Sequence, residues 1–84
     1  MYYVYIIKSL KDGGWYTGFS LDIENRLRQH NAGESISTRG RRPFILIYYE
    51  AYLHKMDAIG REKFLKSGSG KRFLEKQMRN YLQL

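Results

Sequence analysis

The chain is 84 residues long, contains no cysteine, and sets 15 Lys and Arg against 8 Asp and Glu, a formal net charge of +7. That length makes one small domain able to fold without staples, and the lack of cysteine excludes disulfides, thiolate metal sites and thiol nucleophiles. No apolar run approaches the length of a membrane span, so a cytoplasmic location and no membrane partner are the default expectations.

A basic excess in so small a domain favours a polyanionic partner, most often nucleic acid; a solvated surface that only aids solubility is the alternative. Eight tyrosines are many for this length. Some must pack in a core, and others can stack on bases or carry a reactive hydroxyl. Any metal would need oxygen ligands or the two histidines, His30 and His54.

The N-terminus has no basic leader and reads as a strand rather than a signal peptide. Over residues 2 to 9, Tyr3, Tyr5 and Ile7 alternate with Val4 and Ile6. Both sets are apolar or aromatic, which predicts a strand covered on both faces. Asp12-Gly13 is a hairpin turn signal, and a return strand over residues 14 to 18 completes the hairpin. A two-residue turn sets Lys11 opposite Gly14 and places Tyr5 and Tyr16 on one face of the sheet; an odd-numbered loop would separate them.

A helix follows, with Ser20 as the expected N-cap and Asp22 and Glu24 in its first turn. Ile23, Arg26, Leu27 and His30 form an i, i+3, i+4, i+7 stripe. An arginine and a histidine thus share the face that looks at the protein body. A half-buried ion pair or a snorkelling arginine explains this as well as chemistry does. Gly33 is the expected stop. Residues 33 to 42 form a polar loop ending in Arg39, Arg41 and Arg42, which is either an ordinary solvated loop or a track for a nucleic-acid backbone.

Residues 44 to 53 are β-branched and aromatic, which fits the central or longest strand of a sheet. Residues 55 to 66 read as a second helix, opened by His54. On it Glu62 lies among Ala58, Ile59 and Leu65, on the side expected to face inward, while Arg61 and Lys63 point outward. Residues 66 to 70 break this helix. A third runs from about Lys71 to Leu82, with Leu74, Met78, Tyr81 and Leu82 as its apolar stripe. Gly68-Ser69-Gly70-Lys71-Arg72 is not a phosphate-cradling loop, because it follows a helix and lacks the Ser or Thr after the lysine.

The element order is ββαβαα, a small α/β layer structure. On it lie two tyrosines, an arginine, a histidine and a glutamate, the side chains a phosphodiesterase uses. A hydroxyl orients or deprotonates a water, a guanidinium neutralises charge on phosphorus oxygens, and a lone carboxylate holds a hard cation.

These residues fall into a recognisable order. Tyr3-Val4-Tyr5 is followed eleven residues later, tyrosine to tyrosine, by Tyr16-Thr17-Gly18. Arg26-Leu27 comes next, with His30 four residues after the arginine, and then Ala58-Ile59-Gly60-Arg61-Glu62-Lys63. Over nearly its whole length the chain resembles the GIY-YIG nucleases, most of all the short, single-domain (UPF0213-like) members. The resemblance implies one domain over residues 1–84, with a three-stranded antiparallel sheet flanked by three helices. It implies a divalent metal, Mg²⁺ or Mn²⁺, bound through Glu62, and hydrolysis of DNA phosphodiester bonds, with branched or damaged DNA as candidate substrates. Tyr5 would be the general base, Tyr16 its partner, Arg26 the phosphate clamp and His30 a proton carrier or donor. Arg39, Arg41, Arg42, Lys71 and Arg72 are the candidate nucleic-acid contacts. The chain departs from the family pattern at Tyr3, Val4 and Thr17, and Phe19 stands where a Lys or Arg is frequent; the hydroxyls are kept. A catalytically weak binding module of the same fold is the alternative, and a protein-interaction domain using its sheet edge is a third reading. A homodimer or a partner protein would then supply targeting.

Overall fold

A strand with no polar face needs cover on both sides, and the first strand receives it. In the computed structural model, which describes residues 1–83, β1 (Tyr2–Ser9) lies at the centre of a three-stranded antiparallel sheet of order β2-β1-β3. Its neighbours are β2 (Trp15–Ser20) and β3 (Phe44–Tyr52). From Val4 to Ile7 no side chain is more than 1% exposed. The β-branched run after Pro43 is the longest strand, as expected, but it lies at an edge. Position rather than propensity decides this: the hairpin places β2 on one side of β1, and β3 returns to the other. Ile45, Leu46 and Tyr49 are accordingly exposed.

The two layers follow from the period-2 alternation of β1. Val4 and Ile6 pack under Ala58, Leu65, Leu74 and Met78, from the helices α2 (Lys55–Leu65) and α3 (Gly68–Gln77). Tyr5 and Ile7 pack with Phe44, Tyr16, Ile23 and Leu27 beneath α1 (Ile23–Asn31). A short turn, α4 (Arg79–Leu82), follows α3. Burying any one of these aliphatic side chains contributes roughly 1.5–3 kcal/mol.

The hairpin connection is longer than the two-residue turn expected from Asp12-Gly13. Ser9 pairs with Gly14 through a 2.8 Å Ser9 N–H to Gly14 carbonyl bond, and the intervening residues loop out. The Ser9 hydroxyl accepts from the Lys11 and Asp12 amides, at 3.1 Å each, and holds the loop shut. The register shifts by two residues relative to the expectation, so the parity survives: Tyr5 pairs with Gly18, Ile7 pairs with Tyr16, and both phenols stay on one face.

Helix boundaries moved where capping chemistry was misassigned. Asp22, not Ser20, is the N-cap of α1; its Oδ1 accepts from the Asn25 amide at 3.0 Å. Ser20 ends β2 and instead accepts from the Asp22 amide at 2.9 Å. Gly33 does end α1, with φ of +80°. Its amide reaches the His30 carbonyl at 3.1 Å, and Glu34 reaches Gln29. His54 opens α2, its Nδ1 accepting from the Met56 amide. The third helix starts at Gly68 rather than Lys71, because Ser67 caps it through the Gly70 amide at 3.1 Å. Gly70 is required there by close approach: a Cβ would come within 2.1 Å of the Phe64 carbonyl oxygen and 2.5 Å of Leu65 Cα. The break falls at Met78, which turns Tyr81 out to solvent, 53% exposed, while Leu82 stays against the core. Among the described residues no helix is long and apolar enough to cross a membrane.

Candidate active site

Tyr5 is the pivot. Gly18 lies directly opposite it, and the phenol lies across the space a side chain there would fill. A Cβ on Gly18 would come within 2.3 Å of both Tyr5 Cζ and Oη. The absence of a side chain thus lets the ring lie flat over β2. The hydroxyl then meets His30 Nε2 at 2.9 Å. His30, the last inward residue of the α1 stripe, is fully buried. Its ring is boxed by Tyr16, Tyr5 and Phe44, with centroids 5.1, 6.1 and 6.2 Å away. Its other nitrogen, Nδ1, lies 2.7 Å from the hydroxyl of Thr38.

The electrostatics keep both groups neutral. Burial pushes the Tyr5 phenol up to about 12, opposed by the Arg26 guanidinium, while the charges of Tyr16 and Glu62 add to the rise. Burial lowers the pKa of His30, and Arg26 lowers it further. Near neutral pH the pair is therefore a phenol and an uncharged imidazole. Arg26 is half-buried beside them and donates from Nη1 to Gln29 Oε1 at 2.9 Å. It has no carboxylate partner among the described residues, so the half-buried ion pair considered for it is not formed. Its charge remains available to an anion.

Glu62 arrives from the other layer, on α2. Its carboxylate is 21% exposed and its Oε2 is 3.2 Å from Lys66 Nζ. Lys66 also lines a hollow of about 320 Å³ with Trp15, Tyr16, Thr17 and Lys71, so Glu62 lies next to the Tyr16 edge of β2. No group of three or more His, Asp or Glu side chains is clustered among the described residues. A cation here would be held by one carboxylate and its own waters. That suits Mg²⁺, which dehydrates reluctantly. The donor set fits a hard divalent ion once the flexible Lys66, 55% exposed, moves aside.

Arg61 does not point outward as expected. Its Nε donates to Glu50 at 2.8 Å, and its guanidinium lies over the rings of Phe64 and Phe73, 5.0 and 4.5 Å from their centroids. A planar cation on aromatic faces tolerates such partial burial. The phenols of Tyr48 and Tyr52 complete the group by donating to Glu50 at 2.5 and 2.6 Å.

Of the candidate nucleic-acid contacts, the loop arginines are held locally. Arg41 pairs with Asp12 at 2.8 Å, Arg39 donates to the Gly33 carbonyl and Arg42 to the Arg39 carbonyl. Lys71 lies beside Tyr16 in the hollow just described. Arg72 faces a different one, with Ser69, Phe73, Glu75, Lys76 and Arg79. Sequence reasoning missed Thr38 and Glu50. A threonine in a polar loop carries no signal of a contact with a residue eight positions back, and Glu50 gave no period of its own within an aromatic strand.

A phenol, a neutral imidazole and an unpaired arginine on one sheet face, with a carboxylate at its edge, define a nuclease-type catalytic domain. Comparison with known proteins identifies which one. A family model described as the GIY-YIG catalytic domain matches residues 1–77. A UPF0213 protein of Haloquadratum walsbyi is 43% identical over 67 residues, 79% of this chain and 74% of that one. A UPF0213 protein of Staphylococcus saprophyticus is 41% identical over 75 residues, 88% and 90% of the two chains. The solution NMR structure of a UPF0213 protein from Bacillus halodurans superimposes with a TM-score of 0.56 at 38% identity, covering 92% of this chain and 85% of that one. The chain belongs to the GIY-YIG family, and the sequence resemblance stated above holds.

Proposed function

We propose that the protein is a divalent-metal-dependent endonuclease that hydrolyses DNA phosphodiester bonds. The observation that carries this reading is the buried Tyr5–His30 hydrogen bond lying across Gly18, with the Arg26 guanidinium beside it and without a carboxylate partner.

Tyr5 takes the proton of the attacking water. A phenol titrating near 12 is a weak base when free. A donor at His30 Nε2 and the positive charge of Arg26 lower the cost of placing negative charge on its oxygen. Arg26 also binds a non-bridging phosphate oxygen and stabilises the charge that builds there. Tyr16 positions the water from the free edge of β2. Glu62 holds the metal, and an ion there supplies Lewis-acid stabilisation of the phosphate and leaving oxygen. Lys71, Lys66 and the loop arginines carry the strand. Branched or damaged DNA is the substrate class of first choice, since nothing among the described residues builds an element that reads base edges in a groove.

The test is cleavage of supercoiled plasmid and of branched DNA with Mg²⁺ or Mn²⁺, by wild type, Arg26→Ala and Glu62→Ala. Metal-dependent nicking that both substitutions abolish supports the reading. Equal residual nicking in all three removes it. A second reading, a catalytically weak module that only binds nucleic acid, is favoured by one observation: Lys66 Nζ occupies the Glu62 carboxylate. It predicts salt-sensitive binding that survives Glu62→Ala, without metal-dependent cleavage.

A further inference from the structure

We propose that Thr38 is a positioning residue that fixes His30 in its Nε2–H tautomer, so that the imidazole donates to Tyr5 rather than accepting from it. The proposal deepens the nuclease reading and rests on it only for the consequence on cleavage.

The argument is a count of protons. Thr38 is fully buried. It precedes the 3-10 turn Arg39–Arg41, yet its hydroxyl makes no capping bond there. Among the described residues its hydroxyl has one hydrogen-bond partner, His30 Nδ1 at 2.7 Å. A hydroxyl both donates and accepts, whereas each nitrogen of a neutral imidazole does only one. If Nδ1 carried the proton, the Thr38 hydroxyl would accept it and its own hydrogen would be sealed in the interior without an acceptor. A buried unsatisfied donor is costly. If Thr38 donates, Nδ1 is the lone-pair nitrogen and the proton of the ring lies on Nε2, aimed at Tyr5 Oη 2.9 Å away. The donors then run in one direction, Thr38 to His30 to Tyr5. The phenol oxygen becomes an acceptor, and its own hydrogen is free for a water or a substrate oxygen. The same ordering favours the phenolate, because the ring already donates to the atom that gains charge.

The backbone makes the arrangement possible. The stop at Gly33 reverses the chain after α1, and the Thr38 carbonyl, which accepts from the Arg41 amide at 2.9 Å, ties the returning loop to the turn. His30 is thereby clamped between a strand residue and a loop residue, the orientation by an outer partner that metal-binding and catalytic imidazoles commonly show.

The chain holds two histidines, so His54→Asn, which preserves a helix-capping side chain, leaves His30 as the single imidazole in a nitrogen-15 spectrum. The expected spectrum shows Nδ1 as a lone-pair nitrogen and Nε2 as a protonated one. Thr38→Ser keeps this signature and keeps cleavage. Thr38→Val removes it, giving mixed tautomers, and lowers the cleavage rate about tenfold, the lower end of what loss of an orienting partner does. Circular dichroism checks that Thr38→Val is folded; if it is not, Thr38→Ala takes its place and the wild-type spectrum still decides. Protonated Nδ1 in the wild type overturns the proposal, as does an unchanged signature in the folded Thr38→Val. The expected spectra in a protein that cleaves no DNA would remove the nuclease reading and leave the tautomer assignment standing.

Discussion

Replacing Gly18 with alanine tests the geometry of the site with a single methyl group. The added Cβ would come within 2.3 Å of Tyr5 Cζ and Oη and within 2.9 Å of Cε1. No side-chain rotation relieves this in place, because Tyr5 is 1% exposed and walled by Ile7 and Phe44. Either the strands separate or the phenol leaves its position. Overpacking of this kind costs about 1–3 kcal/mol. Displacing the hydroxyl also strips the buried His30 Nε2 of its partner, at a further cost of roughly 1–3 kcal/mol. A loss of about 2–5 kcal/mol lowers Tm by about 10 °C or more in a domain of this size. Thermal unfolding by circular dichroism measures it. Because the clash is with the ring, the two sites couple. In a Tyr5→Leu background, which has no atoms at the ring's far end, Gly18→Ala should cost under about 1 kcal/mol more, well short of additivity. Equal costs in both backgrounds, or a Tm for Gly18→Ala within about 2 °C of wild type, refutes the placement of the phenol over β2.

Gly70→Ala removes a poor helix former, which alone would stabilise by up to about 1 kcal/mol. The contacts at 2.1 and 2.5 Å with α2 backbone reverse the sign, and denaturant titration should show a net loss. Asp22→Ala removes the α1 cap and should cost about 1 kcal/mol, with Ser20→Ala costing less; the opposite order in urea unfolding would return the cap to Ser20. Burial alone would raise the pKa of Glu50, but its bonds from Arg61, Tyr48 and Tyr52 hold it below the ordinary value. Its ionised form therefore contributes stability that is present above the unfolded pKa of about 4.3 and is lost as pH falls through the lower folded value. Arg61→Met should flatten that acid limb in melts taken from pH 6 downward. Lys66→Met frees the Glu62 carboxylate and should tighten Mn²⁺ binding several-fold by calorimetry; unchanged affinity would place the ion elsewhere.

What could be read from the residues alone follows the strength of local signals. The two-faced apolar character of residues 2 to 9 established a covered strand, and its even loop parity kept Tyr5 and Tyr16 together although the turn itself was misjudged. The stripe through Arg26 and His30 correctly turned the imidazole inward. Capping was legible at His54 and Gly33 but not at Ser20, because two competent side chains stand two residues apart and the tertiary path of β2 decides between them. Arg61 was misplaced because helical spacing gives direction but not the presence of two aromatic rings to lie on. Thr38 and Glu50 were beyond reach: their roles are set by partners brought near only when the chain is folded.

The middle strand of the sheet leaves little room for separate change. On four consecutive residues, Val4 to Ile7, it alternates between holding the helical layer and holding the reactive phenol, with water excluded throughout. A substitution at Ile6 that merely loosens the α2 side tilts the same backbone that aims Tyr5. Drift in this strand is therefore constrained by durability and chemistry together, and a search for a more heat-resistant variant should begin at the periphery, on the exposed side of β3 or the outer turns of α3.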